Sequence, residues 1–346
     1  MTMSPRNATP IQLLFLSAAL FLCVIASTGM GYVHVSFFDT ARILLSEFPG
    51  MDGLQSDIQA LQRTVVTEVR LPRILTAALV GAGLAVCGAV FQGILRNPLA
   101  DPYTLGVSAG AAFGASIALL FPLGIANIYS VPLLAFLGGA GTLVFVIYLS
   151  ASGGGISSNN LILSGIIVAA ILSAGISFLK YVADEQVSVI IFWLMGSFAS
   201  RTWADVLLTL GAVCAGFSVF LFYARDLNLM ALGRRTAASL GVETGRTLLV
   251  LLITASLVTA ICVSVSGIIG FVGLLVPHMM RGLTGPDNRR LLPVALLAGA
   301  ILLLVADTIT RAVLPVEVPI GVLTALIGGP FFCYIFRKRQ MARSGF

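Results

Sequence analysis

The sequence predicts an all-α polytopic membrane protein with about ten transmembrane helices, and three observations carry this prediction. Hydrophobic residues fill 58% of the 346 positions and charged residues 10%, whereas about 25% of a soluble domain is charged. The mean hydropathy is +1.04. Apolar runs recur between clusters of proline, glycine and charge, and at about 20 residues per crossing the chain has room for roughly ten of them. Residues 1–346 are therefore predicted to form a single transmembrane domain.

Each predicted span is an apolar run that ends at such a cluster. The first run exceeds the ~7–15 apolar residues of a secretory signal and lacks a clean cleavage site, so we expect it to stay in the protein as the first helix. The ten predicted spans are 11–33, 71–94, 104–120, 131–150, 159–180, 204–224, 247–265, 267–281, 291–309 and 320–337.

The basic residues predict the orientation. With the N-terminus inside, 13 of the 20 lysines and arginines fall on the inner side and 7 on the outer side, and inner loops of membrane proteins carry the excess of positive charge. An even number of spans then places both termini in the cytoplasm. The arginines flank the spans and form no patch interleaved with aromatic residues, so the net charge of +6 does not predict nucleic-acid binding.

Two connecting segments are long. The outer segment 34–69 is polar and has room for a short surface helix. The inner segment 225–246 reads RDLNLMALGRRTAASLGVETGR, with four arginines. Its glycines predict a division into short helical pieces.

The chain lacks the residues that nucleotide hydrolysis and metal binding need. A Walker A loop places a lysine after glycine to hold phosphates, but Lys180 and Lys338 follow leucine and arginine. The five cysteines form no CxxC pair, which predicts small buried side chains. His34 and His278 each lack a second ligand three or four residues away. We therefore expect no catalysis, no cofactor and no metal site in this chain.

Ion coupling has little support in the sequence. A carrier driven by protons or sodium needs ionisable groups near the middle of the membrane; apart from Asp205, the second residue of its span, the one acid within a predicted span is Asp307. Asp307 precedes Arg311 by four residues, which predicts a local ion pair on one helix. Met195, in FWLMGS, is expected to pack in the core, with the lining of a passage as the alternative.

Six blocks of the sequence resemble one known family. They are RLPRILTAALVGAGLAVCGAVFQGILRNPLADPYTLGVSAGAAFGA (70–115), FWLMGSF (192–198), ALGRRTAASLGV (231–242), GFVGLLVPHMMRGLTGPDNRRLLP (270–293), LVADTITR (304–311) and VPIGVLTALIGGPFF (318–332). In this order they resemble the permease subunits of type II ABC importers, the FecCD-type family for iron-siderophores, haem and vitamin B12. The blocks run from residue 70 almost to the end of the chain.

The resemblance implies a ten-helix permease of the inner membrane that works with partners. These are a second permease subunit, expected to be an identical copy, two cytoplasmic ATPase subunits and an extracytoplasmic substrate-binding protein. ATP and magnesium then belong to the ATPase subunits, and this chain is a transport subunit rather than an enzyme. Lipid surrounds it, and no nucleic acid is involved.

The resemblance also implies three groups of site residues. The first group docks the binding protein, or alternatively anchors helix ends in the lipid headgroups. The second forms a cytoplasmic gate, or alternatively consists of ordinary loop residues. The third packs on the ATPase, or alternatively contacts the anionic inner leaflet. The groups are Arg70, Arg73 and Arg311 for docking; Asn97, Leu99, Ser158 and Asn159 for the gate; and Ala231, Gly233, Arg234, Arg235, Ala237, Leu240 and Gly241 for coupling.

The function that follows is inward transport of a bulky metal chelate by alternating access in a permease dimer. Ferric siderophores are favoured, with haem and cobalamin close behind. The absence of paired histidine or cysteine ligands favours an intact chelate over a bare ion. Two alternatives stay open: an ion-coupled secondary carrier that needs no ATPase, and a membrane sensor that transports nothing.

Overall fold

The computed structural model of the chain describes residues 5–31, 35–46, 59–121, 127–152, 155–314 and 316–343. Its regular structure is helical apart from one pair of two-residue antiparallel strands, β1 (Ala151–Ser152) and β2 (Gly155–Ile156). The predicted all-α fold is therefore confirmed.

Fifteen α-helices fall within the described residues, together with one π-helix and two 3₁₀ turns. The π-helix is Val65–Arg70, and the 3₁₀ turns are Pro102–Leu105 and Asp184–Gln186. The α-helices are α1 (Pro5–Gly29), α2 (Phe37–Ser46), α3 (Ala60–Thr64), α4 (Leu71–Leu95), α5 (Val107–Leu120), α6 (Asn127–Ser150), α7 (Ser158–Val182), α8 (Val187–Leu194), α9 (Trp203–Phe222), α10 (Ala224–Ala231), α11 (Arg234–Ser239), α12 (Thr244–Ser266), α13 (Val272–Thr284), α14 (Asn288–Ala312) and α15 (Ile320–Arg343).

Every predicted span coincides with a helix, but the helices differ in length. Seven of the described helices are long and apolar enough to cross a membrane, namely α1, α4, α6, α7, α9, α12 and α14. The predicted span 267–281 is wrong in its first five residues, because Gly267 and Phe271 have positive φ and the helix begins at Val272. At 1.5 Å per residue, the 13 residues of α13 extend only about 20 Å, less than the hydrocarbon core of about 30 Å.

Helix α4 is the centre of the bundle. Of the apolar window in its span 89% is buried, against 22% for α7. Gly81 faces the backbone of Gly299 in α14, and Gly88 faces the backbone of Gly273 in α13, so closely that a Cβ at either position would clash. Membrane helices typically associate through such small residues, and α4, α13 and α14 are thereby packed backbone against backbone.

A π-helical turn leads from α3 into α4. Pro72, in the first turn of α4, has no amide hydrogen, and its ring would clash with the carbonyl oxygen of Glu68 four residues earlier in a regular helix. The wider turn of Val65–Arg70 accommodates the proline. Arg70 and Arg73 therefore lie where the span begins, at the end predicted to face outward. We call this the outer end of the bundle, and the opposite one the inner end.

The two long connecting segments follow the sequence prediction where the structure describes them. The outer segment 34–69 contributes the short helix α2 and the turn of α3, while 47–58 lie outside the described residues. The inner segment 225–246 folds into α10 and α11, separated at Gly233 by a φ of 112°. A residue with a side chain is strained at that φ, so the glycine sets the turn between the two helices.

Candidate functional sites

The three arginines predicted for docking lie together at the outer end. Arg73 of α4 donates from Nε and Nη2 to both oxygens of Asp307 in α14, over 2.9–3.2 Å. Its Nη2 also donates to Glu317, in the segment before α15. The side chain of Asp307 is 2% exposed and that of Glu317 43%. Arg73 thus holds one buried carboxylate and one exposed carboxylate.

Asp307 has the predicted local partner and a second, closer one. The ion pair with Arg311 is present, with Arg311 Nε 3.9 Å from Asp307 Oδ2, too far for a hydrogen bond. Arg73, 234 positions away along the chain, binds both oxygens with hydrogen bonds, because two donors of one guanidinium fit a carboxylate better than one distant nitrogen. Asp307 is therefore neutralised in place and does not provide a mobile carboxylate for ion coupling.

Arg70 and Arg311 hold the end of α1. Arg70 Nη1 donates to the carbonyl oxygen of Thr28 at 2.9 Å, and Arg311 Nη2 donates to that of Ser27 at 2.9 Å. The last carbonyl groups of a helix have no partner within it, and arginine is a common donor to them. Gly31 lies between the two guanidinium groups, since a Cβ there would be 2.7 Å from Arg70 Nη2 and 3.1 Å from Arg311 Nη1.

Arg201 is a fourth arginine at this end, and no pattern in the sequence indicates its role. It donates from Nε to the carbonyl oxygen of Ala199 at 3.1 Å and from Nη1 to that of Val265, 64 positions away at the end of α12. Burial lowers the pKa of the Arg201 guanidinium. These four arginines therefore have bonds within the chain, and the docking role of Arg70, Arg73 and Arg311 stays a prediction.

A cavity of about 600 Å³ opens between α8 and α15. Helix α8 is absent from the predicted spans, because its eight residues are too few for a crossing. The cavity wall is apolar. It consists of Leu194, Met195, Ile268, Gly270, Gly321, Val322, Ala325, Leu326 and Pro330. Met195 is 36% exposed, so it lines this cavity rather than packing in the core.

Backbone hydrogen bonds join the segment after α8 to the end of α12 and to the start of α15 at the cavity. Gly321 N donates to the carbonyl oxygen of Met195 at 3.0 Å. Ser197 N donates to that of Ser266 at 2.9 Å. Irregular backbone at membrane depth needs protein partners for its polar groups, and the ends of α12 and α15 supply them to the segment after α8. Backbone hydrogen bonds therefore hold this edge of the cavity together.

The predicted gate residues lie in two segments at the inner end. Asn97 Oδ1 accepts from the amide of Leu99 at 3.0 Å, and the side chain of Leu99 is exposed. Ser158 and Asn159 occupy the first turn of α7. The 3₁₀ turn that follows the first segment packs on α7, where Gly165 meets the carbonyl oxygen of Thr104. Both segments are thus anchored to the same helix, and their gating role stays a prediction.

Asp101 shapes the first of these segments. Its Oδ1 accepts from the amides of Tyr103 at 3.1 Å and Thr104 at 2.9 Å, so the carboxylate caps the 3₁₀ turn. Burial raises the pKa of Asp101 to about 6. A pKa raised by folding means that the group favours the folded state at pH below about 4, and that this contribution is lost as the pH rises through about 6.

The predicted coupling residues divide into a buried one and an exposed set. Ala237 is fully buried, so it seats α11 on the chain's own core and cannot itself touch a partner. Leu240 is 57% exposed, and nothing lies within 4 Å of a Cβ placed on Gly241. Ala231 and Arg235 are exposed as well. An open face of small and apolar residues therefore remains at the inner end, with Gly233 and Arg234 half-buried beside it.

Asn228 attaches this element to α14, and no pattern in the sequence indicates this contact. Its Nδ2 donates to Asp287 Oδ1 at 2.6 Å. Its Oδ1 accepts from the amide of Asn288 at 2.9 Å and from Asn288 Nδ2 at 2.7 Å. On the same helix, Leu227 is fully buried against Gly93 of α4. Helix α10 is thereby attached to α4 and to the N-terminus of α14.

The described residues contain no group of three or more histidine, cysteine, aspartate and glutamate side chains that could hold a metal ion. His278 is half-buried, and its ring centroid lies 6.2 Å from that of Phe332. His34 lies outside the described residues.

The long apolar helices, the cavity and the open inner face define the class of a multi-pass membrane transport protein. The model of the FecCD transport family matches residues 19–338. The cobalamin import system permease protein BtuC of Halobacterium salinarum is 44% identical over 289 residues, which cover 83% of this chain and 77% of the relative. The hemin transport system permease protein HmuU of Yersinia pestis is 37% identical and covers 99% of this chain and 100% of its own.

The same family relationship extends to a molybdate relative and to a solved structure. The molybdate import system permease protein MolB of Haemophilus influenzae is 39% identical, over 96% of this chain and 97% of its own. A solved structure, described as an inward-facing conformation of a proposed metal-chelate type ABC transporter, has 37% identity and a TM-score of 0.82. The match covers 95% of this chain and 99% of the chain in that structure. The chain belongs to the FecCD transport family, as the sequence blocks predict. It is a permease of the ABC importer class.

Proposed function

We propose that this chain is one half of a permease dimer that moves an intact metal chelate into the cell, driven by ATP hydrolysed on separate ATPase subunits. Ferric siderophores are the favoured substrates, followed by haem and cobalamin. The relatives named for cobalamin, hemin and Fe(3+)-citrate import support this range. The chain serves as a single permease domain in the inner membrane, with both termini in the cytoplasm.

The apolar cavity is the observation that carries the substrate proposal. Its wall offers backbone groups and the Met195 sulfur, but no charged side chain. A bare cation would lose its hydration there without gaining ligands, which is costly. A chelate shields the metal within an organic shell, and such a shell can slide along an apolar wall. The metal therefore enters already bound in its chelate. ATP and magnesium bind to the ATPase subunits.

The exposed apolar helices support the dimer. Helices α7 and α9 are mostly unburied, with large exposed side chains such as Phe178, Tyr181 and Leu207. In a membrane these faces meet lipid or another permease subunit. We propose that a second copy of this chain covers the side on which the cavity opens, so that the two subunits enclose the substrate path.

Partners at both ends complete the proposed machine. The outer ion cluster receives the substrate-binding protein, and the open face with Leu240 and Gly241 receives an ATPase subunit. The segments with Asn97, Leu99, Ser158 and Asn159 close the path at the inner end between transport cycles. Segment 34–69 lies outside the membrane, and segment 225–246 is the coupling loop.

Transport by the purified complex tests this function. The complex that copurifies with the tagged chain is reconstituted in liposomes and supplied with its binding protein and a radiolabelled ferric hydroxamate chelate. We expect uptake that needs ATP on the side of the ATPase subunits and that an imposed proton or sodium gradient does not replace. Parallel assays with haem, cobalamin and molybdate rank the substrates. Uptake driven by an ion gradient in the absence of ATP would contradict the proposal.

A further inference from the structure

The two carboxylates on Arg73 differ in how firmly they are held. Asp307 is buried, accepts from two nitrogens of the guanidinium and sits within the long helix α14. Glu317 is 43% exposed, accepts from one nitrogen and lies in the segment between α14 and α15. Breaking a buried ion pair is costly, whereas an exposed pair contributes little to stability. Glu317 is therefore the partner that Arg73 can release.

We propose that Glu317 is an internal substitute for a carboxylate of the substrate-binding protein, and that docking exchanges one for the other on Arg73. This inference rests on the docking role proposed above for the outer ion cluster. In the free permease, Glu317 occupies the docking arginine Arg73, and the partner has to displace Glu317 in order to bind.

The hydrogen bonds of Arg73 explain why an exchange is needed. Nη2 carries two hydrogens; one is directed to Asp307 Oδ1 at 2.9 Å and the other to Glu317 Oε1. The side chain of Arg73 is only 10% exposed, and together with Glu317 it lines a cavity of about 260 Å³ at the outer end. A carboxylate that arrives from outside can reach Nη2 when Glu317 swings away, and the number of hydrogen bonds is then conserved.

The charge of the cluster favours an acidic partner. Among the described residues, the cluster consists of three arginines, Arg70, Arg73 and Arg311, and two carboxylates, Asp307 and Glu317, so these groups together carry one positive charge. Once Glu317 has left, the excess rises by one charge. Complementary charge of this kind steers a partner and fixes its orientation. The same outer segment exposes Val313 by 60% and Val316 by 71%, apolar surface that a docked protein would cover.

Release of Glu317 would affect the backbone contacts at the edge of the cavity. Glu317 is three residues before Ile320, which begins α15 and whose amide donates to the carbonyl oxygen of Gly196 at 3.3 Å. The next amide, of Gly321, donates to Met195 on the cavity wall. A partner that takes Arg73 away from Glu317 therefore loosens the outer edge of the cavity at the moment of docking.

The test is the affinity of the binding protein for the permease complex with and without Glu317. The probe is the extracytoplasmic protein that crosslinking recovers with the wild-type complex, then purified alone. Glu317→Gln removes the internal competitor, so we expect its affinity to rise about twofold to fivefold, the range of one exposed ion pair. Glu68→Gln is the matched control, because Glu68 is an exposed outer carboxylate that forms no ion pair among the described residues. Its affinity should stay at the wild-type value.

The outcomes distinguish the carboxylate exchange on Arg73 from the docking role on which it rests. Affinity for Glu317→Gln that equals or falls below the wild-type value, with the wild type binding well, would overturn the exchange and leave the docking role intact. A wild-type complex that binds no such protein would overturn the proposed docking itself. If Glu317→Gln fails to assemble, Glu317→Asp carries the test, since its shorter side chain reaches Arg73 less well and should raise the affinity by a smaller factor.

Discussion

At the scale of single residues, the ion cluster shows why an arginine at the outer end is hard to interpret by mutation. Arg73 neutralises a buried aspartate, and Arg70 and Arg311 cap α1. Reversing the charge of Arg73 would place three negative groups together, so lost docking and lost folding would be indistinguishable. The carboxylates are therefore the more informative positions.

We expect Asp307→Asn to be far more harmful than Glu317→Gln. The first leaves Arg73 buried without its main partner and should lower the free energy of unfolding by about 3–5 kcal/mol. The second removes an exposed pair and should cost less than about 1 kcal/mol. Thermal unfolding of both variants in the same detergent measures the difference, and equal losses would refute the division of Arg73 between a fixed and a releasable partner.

At the scale of elements, the attachment of α10 to α14 is the most specific contact of the inner end. Asn228→Ala would leave the amide and the Nδ2 of buried Asn288 without the oxygen that both donate to, at a cost of about 1–3 kcal/mol. We expect α10 to detach locally and the ATPase subunits to copurify in reduced amount. Hydrogen exchange over Ala224–Ala231 and the subunit ratio after purification measure both effects.

Asp226→Ala provides the control for this change. Asp226 lies on the same helix, and its side chain makes no hydrogen bond to the part of the chain that the structure describes. Exchange and subunit ratio should therefore match the wild type. An equal loss in both variants would mean that any change in α10 suffices and that the Asn228 bonds have no special role.

The packing of α4 gives a second prediction at this scale. Gly88→Ala places a methyl group against the backbone of Gly273, and overpacking of this kind costs about 1–3 kcal/mol or more. Gly141→Ala, in α6, meets nothing within 4 Å and should be neutral. We expect the first variant alone to lose thermal stability. A tolerated Gly88→Ala would contradict the close contact of α4 with α13.

The elements also show what the sequence can and cannot predict. Long apolar runs predict the spans because hydropathy acts locally, and glycines predict the break between α10 and α11. Helix α8 is missed because its eight apolar residues are too few to predict a membrane crossing. The Arg73–Asp307 pair and the Asn228 contacts join residues separated by 234 and by 59–60 positions, and no local pattern reveals such pairs. The local pair of Asp307 with Arg311 is present as predicted, because it depends only on spacing along one helix.

At the scale of the whole molecule, the two ends of α14 connect the proposed docking and coupling sites. Its N-terminus is bound by Asn228, and near its C-terminus Asp307 holds Arg73. The 25 residues of this helix extend about 37 Å at 1.5 Å per residue, enough to cross the membrane. Because α14 also packs on α4 through Gly81 and Gly299, the pair forms a continuous body between the two ends.

ATP hydrolysis by the complex that copurifies with the tagged chain from its own membranes tests whether this chain is the permease of an ATP-driven importer. We expect companion ATPase subunits in stoichiometric amount and steady hydrolysis. We also expect Gly241→Trp to abolish both, because the indole would fill the open face at Gly241. Gly241→Ala places a side chain at the same positive φ of 87° but lacks the bulk of the indole, so this variant should retain both. A clean preparation with no companion subunit and no hydrolysis would contradict the assignment of this chain to an ATP-driven importer.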